Sequence, residues 1–543
     1  QRQMCIRDSS ADILNIIQNL IDEVGKKGGG RIFFPCGKYY FNKDKNNKSF
    51  IQINYSNIII DGELDSNGKP LAELISCNNT LRGKKNPWLS PFFITTGEAI
   101  QESNIFWGIQ FKHKKNIITR SDSLADPGSD GSILTPKFIA RVSHEAQKGD
   151  YILHLENTKA LKGDKYIMLA MYNTSEDGNL IKEILGFDKL RNEWGTALRA
   201  GVEKAPSFQH LLEIEEIIDE NTIKLVQPLR MRCPLKYEPE IFSVQMLENI
   251  VIKNITITSK WNGLFRHHGF PLYYSVNQSQ EMDYGWNAIN MKRVADGLIE
   301  NVTIKNFTNP LYVMDSRNVT CNNLRIKGYD GHQGIKIYGH ACDNLFKNII
   351  FYNHYADMLG GEGNAYGNVF TNIHYVNPTY KPVDFDFHGF SEGPFSPPAW
   401  NLFECITGFR HIKGAGAMYN QPACAQHNVW WNIQGEGEKK GSRLFISLAY
   451  KQKYGLAKTL SLFRHTLVKA VQAKNISPSF VKNIYTEKLK IDAQKQIPLA
   501  DHQKLFPTSL VQGFNTTCTF YDDKNHKEYI FPTSLYEYQL KRK

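Results

Sequence analysis

No run of about 18 apolar residues occurs anywhere in this chain, which excludes a hydrophobic membrane-spanning helix. There is no Cys-x-x-Cys pair, no zinc-ligand spacing, no basic cluster and no helix-turn-helix pattern, so the usual nucleic-acid modules are missing. Cysteine is sparse and odd in number, nine in 543 residues, and scattered as buried thiols would be rather than as a disulfide framework. The first residues carry neither an initiating Met nor a signal-peptide pattern, and 1–9 read as a truncated or non-native leader. A formal charge of +11 remains to be explained. With nucleic acid unsupported, an anionic polysaccharide is the partner that this charge implies, and that partner places the protein outside the cytoplasm, secreted or periplasmic.

What the chain does have is repetition. Asn-Ile-Val-Ile-Lys-Asn-Ile-Thr-Ile (Asn249 to Ile257) is followed by Glu300 to Ile304, Asn318 to Ile326, Asn344 to Phe351, Asn368 to Tyr375, Asn401 to Ile406 and Asn428 to Ile433, all built on Asn and alternating apolar residues. Measured on the second Asn of each phrase, the step is roughly 25 residues. Alternation of period two makes each phrase a strand with one buried face, and a single short strand cannot bury that face alone. Stacking the repeats resolves this, which predicts an all-β solenoid, a parallel β-helix. Asn254, Asn301, Asn323, Asn348, Asn372 and Asn432 are then expected to form a structural hydrogen-bonded ladder, with Cys405 as a small buried substitute.

Other segments frame the repeat. Asp12 to Val24 has apolar residues at helical spacing and ends near Gly28-Gly29-Gly30, followed by the strand and turn Arg31 to Tyr40. A helix there would cap the open end of the solenoid. Between 116 and 245 the Asn phrases stop, and Lys148-Gly149-Asp150, Leu161 to Asp164 and Ile217 to Leu229 read as short strands joined by Gly-Asp and Asp-Glu-Asn turns, a β-rich insertion. The expected organisation is a cap with first coils over 10–115, the insertion over 116–245, the main β-helix over 246–440 and a C-terminal segment packing on it over 441–543.

Chemistry gathers between Asp330 and Trp431. With Ile335 and Ile337 inward, His332, Lys336 and Tyr338 share the outward face. If Met358 stacks on Ile335, Asp357 also points outward, and one coil later Val383, Phe385 and Phe387 turn inward while Asp384, Asp386 and His388 face the groove. Neighbours on adjacent coils are about 5 Å apart and alternate residues about 7 Å. Paired carboxylates at those distances suit glycoside hydrolysis. The same carboxylates could hold Ca²⁺ against a uronate while Lys336 or His332 removes a proton in β-elimination. Trp261, Arg266, His267, His268, Tyr284 and Trp286 form a loop dense in rings and cations, suited either to sugar binding or to packing on the coil flank.

The opening Phe34-Pro35-Cys36-Gly37-Lys38-Tyr39 phrase, with its preceding helix and glycines, resembles the start of the pectate-lyase-like superfamily of right-handed parallel β-helices. Gly331 to Gly334, Gly367 to Phe370, Asp386 to His388, Pro398 to Phe403, Gly408 to Arg410, Trp430 to Ile433 and the closing Pro532 to Leu540 are similar, in order, to a set found in uncharacterised bacterial and fungal members. Here Gln333 stands in place of a His, and Phe387 and Gly389 alter the third phrase, so the resemblance carries over to His332, Asp386, His388 and, as a substrate contact, Arg410. It implies a carbohydrate-active enzyme. The expected activity is lytic cleavage of an anionic polysaccharide, with hydrolysis by paired Asp residues next and a non-catalytic adhesion solenoid third.

Overall fold

The computed structural model describes residues 12–45, 49–80, 91–97, 137–174, 179–186, 206–263, 284–377, 384–388, 398–408, 411–413, 425–434, 445–447, 510–512 and 534–541. Its strands stack into a parallel β-helix. One long sheet, the ladder sheet, runs Gly30–Phe34, Ile58–Gly62, Val251–Lys253, Leu298–Lys305, Thr320–Lys327, Leu345–Phe351, Val369–Tyr375, Leu402–Thr407, Val429–Gln434 and Leu510–Gln512 in that order. A second, the site sheet, runs Ile51–Ile53, Ile94–Thr96, Asn287–Lys292, Asn309–Met314, Gly331–Tyr338, Tyr355–Glu362, Asp384–His388, His411–Lys413 and Phe445–Ser447. A third face is narrow, a two-residue pairing of Leu247–Glu248 with Val294–Ala295 continued as a row of parallel bridges through Arg317, Cys342, Tyr366 and Ala399. Each coil therefore returns to the same sheet in the same direction, with the right-handed sense that parallel crossovers take.

Register follows the Asn phrases. Ile304 pairs with Ile326, Ile326 with Phe351 and Phe351 with Tyr375, so the inward positions align coil upon coil. The aromatic members stack along the axis: Phe346 on Phe370 at 4.4 Å between ring centroids, Phe370 on Phe403 at 4.7 Å, and Phe403 on Trp430 at 5.6 Å. Those spacings are close to the strand-to-strand distance, so identical inward positions become face-to-face rings without distortion.

The expected ladder forms over part of its length: Asn301 donates to Asn254 Oδ1 at 3.0 Å, Asn323 to Asn301 Oδ1 at 3.3 Å and Asn372 to Asn348 Oδ1 at 2.6 Å. The second Asn of each phrase lies in the left-handed region, from Asn254 at φ 58° to Asn432 at φ 50°, with Cys405 at φ 51° in the same column. That conformation, which Asn tolerates better than most residues, turns several of these side chains toward water. Asn348 and Asn372 are exposed, and Cys405 is half-buried rather than buried. The column is also broken, since Asn348 donates to Asn322 instead of Asn323. A second ladder, buried throughout, is made by the first Asn. Asn344, Asn368, Asn401 and Asn428 are each at most 1% exposed and linked side chain to side chain at 2.8 to 3.0 Å.

The helix Leu14–Lys26 caps the first coil. Asp12 Oδ1 accepts the Leu14 N–H at 3.0 Å, and Leu14, Ile17 and Ile21 are buried against the first strands. The insertion forms a six-stranded antiparallel sheet, Lys137–Arg141, Glu240–Val244, Tyr166–Tyr172, Pro206–Ile217, Thr222–Leu225 and Ile152–His154 in order. Its own apolar core reaches the third face of the coils, taking in Ala295, Cys342, Tyr366 and Ala399. Polar clasps cross this junction: Arg317 to Glu213, Arg230 to Asp343, and His340, whose ring lies 2.9 Å from both Asp315 Oδ1 and Gln209 Oε1. Of the cysteines described, Cys233, Cys321 and Cys342 are buried free thiols, Cys77 and Cys405 half-buried and Cys36 exposed.

Candidate functional site

The strand Gly331–Tyr338 brings the expected residues together, but not on an open face. All eight of its residues are buried. Lys336 is 0% exposed, Asp357 4% and His332 7%, so the expectation of a solvated outward groove is corrected at these three positions. Lys336 pairs with Tyr312 on the preceding coil and with Gly360 on the following one.

Alternation breaks at Gly334. A Cβ there would sit 2.3 Å from the Met358 carbonyl oxygen, so only glycine lets the two coils approach. As a result Gln333 and Ile335, two residues apart, lie on opposite sides. Ile335 is in the core, whereas the Gln333 carboxamide oxygen accepts hydrogen bonds from the Tyr338 hydroxyl at 2.7 Å and from the Tyr312 hydroxyl. The expected stacking of Met358 on Ile335 is also displaced by one residue. Leu359 pairs with Ile335, and Asp357 with Gln333.

That shift has a consequence the sequence reading missed. With Leu359 inward, Glu362 comes to the same side as Tyr338, where it is 2% exposed, and its charge helps hold Tyr338 protonated. Both phenols are pushed well above the ordinary tyrosine value, first by burial and then by the negative charges of Glu362 and Asp357. They are therefore neutral hydrogen-bond donors at any working pH. His332 Nε2 lies 3.6 Å from Asp357 Oδ2, an electrostatic pairing beyond direct hydrogen-bond length, and its ring meets Tyr284 edge-on at 6.5 Å.

Register places the next coil without describing its polar side chains. Gly360 pairs with Asp386 and Glu362 with His388, while Phe385 and Phe387 are buried as expected. The side chains of Asp384, Asp386 and His388 lie outside the described residues, as do Arg266, His267, His268 and Arg410 entirely. Trp261 is 3% exposed and packs edge-on against Tyr329 at 5.9 Å, which makes it a packing residue rather than a sugar platform. Tyr284 is buried beside His332, and the Trp286 carbonyl accepts the Thr308 N–H at 2.8 Å. Among the described residues, no group of three His, Cys, Asp or Glu is placed to hold a metal ion.

No family model matches the chain, and no curated protein matches it. Among solved structures it is similar to the tailspike protein gp49 from Pseudomonas phage LKA1, at 10% identity over 80% of this chain and 68% of that one, with a TM-score of 0.36. It is similar to PfbA, a surface adhesin of Streptococcus pneumoniae, at 10% identity over 82% and 81% of the two chains and a TM-score of 0.34. An exopolygalacturonase from Thermotoga maritima is matched at 11% identity over 80% and 85%, with a TM-score of 0.20. Likeness this distant carries no argument about activity. The architecture, read from the chain's own strand pairing, is a parallel β-helix.

Within that architecture, three adjacent strands hold an imidazole, an ammonium, two carboxylates and two neutral phenols. His332 beside Asp357 can exchange a proton, Lys336 can offset developing negative charge, and Tyr312 and Tyr338 can donate. Glu362, Tyr312 and Gln333 were absent from the sequence expectation. The signal for Glu362 was present in the Leu359-Gly360-Gly361-Glu362 alternation, but a one-residue error in register moves it to the opposite face. No described helix is long and apolar enough to cross a membrane.

Proposed function

We propose that the protein cleaves an anionic polysaccharide at the cluster around His332 and Asp357, acting as a lyase by β-elimination. The supporting observation is the withdrawal of four ionisable groups, His332, Lys336, Asp357 and Glu362, to below 10% exposure on two adjacent strands. Burying charge is costly, and the equivalent rung two coils before Lys336 holds the neutral Asn290. Exposure rises from Lys336 and Glu362 outward to His332, so the imidazole is the group a sugar would meet first.

In this reading His332, with Asp357 beside it, takes the proton from the carbon next to the uronate carboxylate. The C–H electron pair becomes the new C=C bond, the C–O bond to the leaving sugar breaks, and that oxygen takes the proton that His332 removed. Lys336 offsets the charge that builds on the carboxylate. A hydrolytic reading has one observation in its favour, the presence of two buried carboxylates, Asp357 and Glu362, which could share acid and base roles. Calcium would need more oxygen ligands than these two carboxylates provide. An extracellular polymer as substrate places the protein in a secreted or periplasmic setting.

The test is incubation with alginate, pectate, glycosaminoglycans, ulvan and fucoidan, with and without added Ca²⁺, measuring new reducing ends and the ultraviolet absorbance of an unsaturated uronate. Both signals together support the lyase. Reducing ends alone on a uronate polymer support hydrolysis, and binding with neither signal overturns the enzymatic reading in favour of an adhesin.

A further inference from the structure

At the corner leading into the ladder sheet, one residue of every coil lies in the left-handed backbone region. The column runs Asn57, Asn249, Asp296, Asn318, Asp343, Gly367, Trp400 and His427, with φ between 52° and 71°. Asn, Asp and Gly are the residues that adopt this conformation readily. Trp400 at φ 55° and His427 at φ 62° are not, and a bulky side chain held there stores backbone strain. The Trp400 indole meets Tyr366 edge-on at 5.2 Å and Phe208 at 6.3 Å, and its N–H has no acceptor among the described residues.

What the two rings share is a cleft. Trp400 and His427 stack at 6.2 Å between centroids, 29° from parallel, and with Arg230 they line both of two cavities, about 620 Å³ and about 280 Å³. The smaller lies between the insertion and the coils, with Glu183 also on its wall, and the larger lies between the coils and the C-terminal helix. One wall is the short helix Leu535–Leu540, tied to the coils by Glu404, which accepts hydrogen bonds from the Ser534 hydroxyl and the Leu535 N–H. Arg230 crosses the backbone of Gly367, where a Cβ would collide with the guanidinium, and pairs with Asp343 on the previous coil. Lys148 lines the smaller cavity. Burial, followed by the charge of Lys148, lowers the basicity of His427.

From these placements we infer that the cleft between the insertion and the third face is a second saccharide site, taking an anionic pyranose such as a uronate or sulfated sugar. The C–H face of the sugar ring lies on the Trp400 and His427 pair, and its acidic group meets Lys148 and Arg230. The site is separate from the site sheet and does not depend on the cleavage reading, because an adhesin would use it equally.

The test is ¹⁹F NMR of the full chain labelled with 5-fluorotryptophan. The Trp400 signal is assigned by its loss in Trp400→Phe. The probes are trigalacturonate, a chondroitin sulfate tetrasaccharide and neutral cellotriose. The expected result is a saturable shift of the Trp400 signal with at least one acidic probe, no shift with cellotriose, and at least tenfold weaker binding in Lys148→Ala, an exposed position whose loss leaves the fold intact. Absence of any Trp400 shift at millimolar concentrations of both acidic probes overturns the site. An equal shift with cellotriose, or unchanged affinity in Lys148→Ala, overturns its anionic specificity. Failure of cleavage on the polymer panel leaves this measurement unaffected, so the two readings fail separately.

Discussion

Asn368 donates its side-chain amide to Asn401 Oδ1 at 2.9 Å, and the same oxygen also accepts the backbone N–H of Asn368 at 2.9 Å. Each coil is thereby clamped twice to the next by one buried oxygen. The arrangement repeats from Asn344 to Asn428, with every amide also donating to a backbone carbonyl one coil back or beside it.

Breaking this clamp leaves buried donors and acceptors unpaired. Asn368→Ala is expected to lower stability by about 2 kcal/mol or more. Asn348→Ala, at an exposed position of the other column, should change it by only about 0.5 kcal/mol. Urea midpoints of the two variants measure the difference, and equal losses would contradict the assignment of the buried ladder to the first Asn.

Gly334→Ala tests the break in alternation. A methyl group would meet the Met358 carbonyl at 2.3 Å, so the coils must separate where Gln333 and Asp357 pair. A loss of about 1–3 kcal/mol is expected, together with loss of any polysaccharide cleavage. A variant with wild-type midpoint and wild-type turnover would show that the close approach is unnecessary.

His332→Asn should reduce turnover about a hundredfold or more under either reaction, as removal of a general acid or base does. Because His332 is buried, circular dichroism at the assay temperature must show that the variant remains folded. Glu362→Gln separates the two chemistries. Hydrolysis through the carboxylate pair would fall by a comparable factor, whereas elimination would keep kcat within about tenfold while KM changes.

His210 supplies a pH dependence. Its ring is buried at the insertion junction, neither nitrogen has a hydrogen-bond partner among the described residues, and burial with the nearby Arg230 charge pushes its pKa down to about 3. The unfolded chain, with an ordinary value near 6.5, therefore binds more protons than the folded one between about pH 6.5 and pH 3. Stability is full above that window and falls as the pH drops through it, by roughly 3 kcal/mol at pH 4 from this residue. His210→Leu should remove that part of the slope. Identical urea midpoints for wild type and variant, relative to their own values at pH 7, at every pH down to 4 would refute the assignment.

Much of the fold is legible in the sequence because a solenoid repeats its requirements. Ile326, Phe351 and Tyr375 occupy the same inward position on successive coils, so the same residue type is needed at a regular step and the period survives in the chain. The choice between the two Asn columns is not legible in the same way. Both positions show the same amide at the same step, and only the backbone conformation separates a side chain turned into the coil from one turned out. The placement of Glu362 was lost for a related reason: the break at Gly334 shifts the pairing by one residue, and a strand reading that assumes strict alternation then assigns faces wrongly.

The sequence by itself determined the parallel β-helix, its capping helix, the β-rich insertion and the strand that carries His332 and Lys336, because these depend on periodicities local to each segment. The burial of those two side chains, the joining of Glu362 and Tyr312 to them, and the cleft at Trp400 were decided only by tertiary structure. Each depends on which residues lie across from one another on different coils or on the insertion, tens to hundreds of positions apart. Pairing over such separations leaves no periodic trace in a single chain.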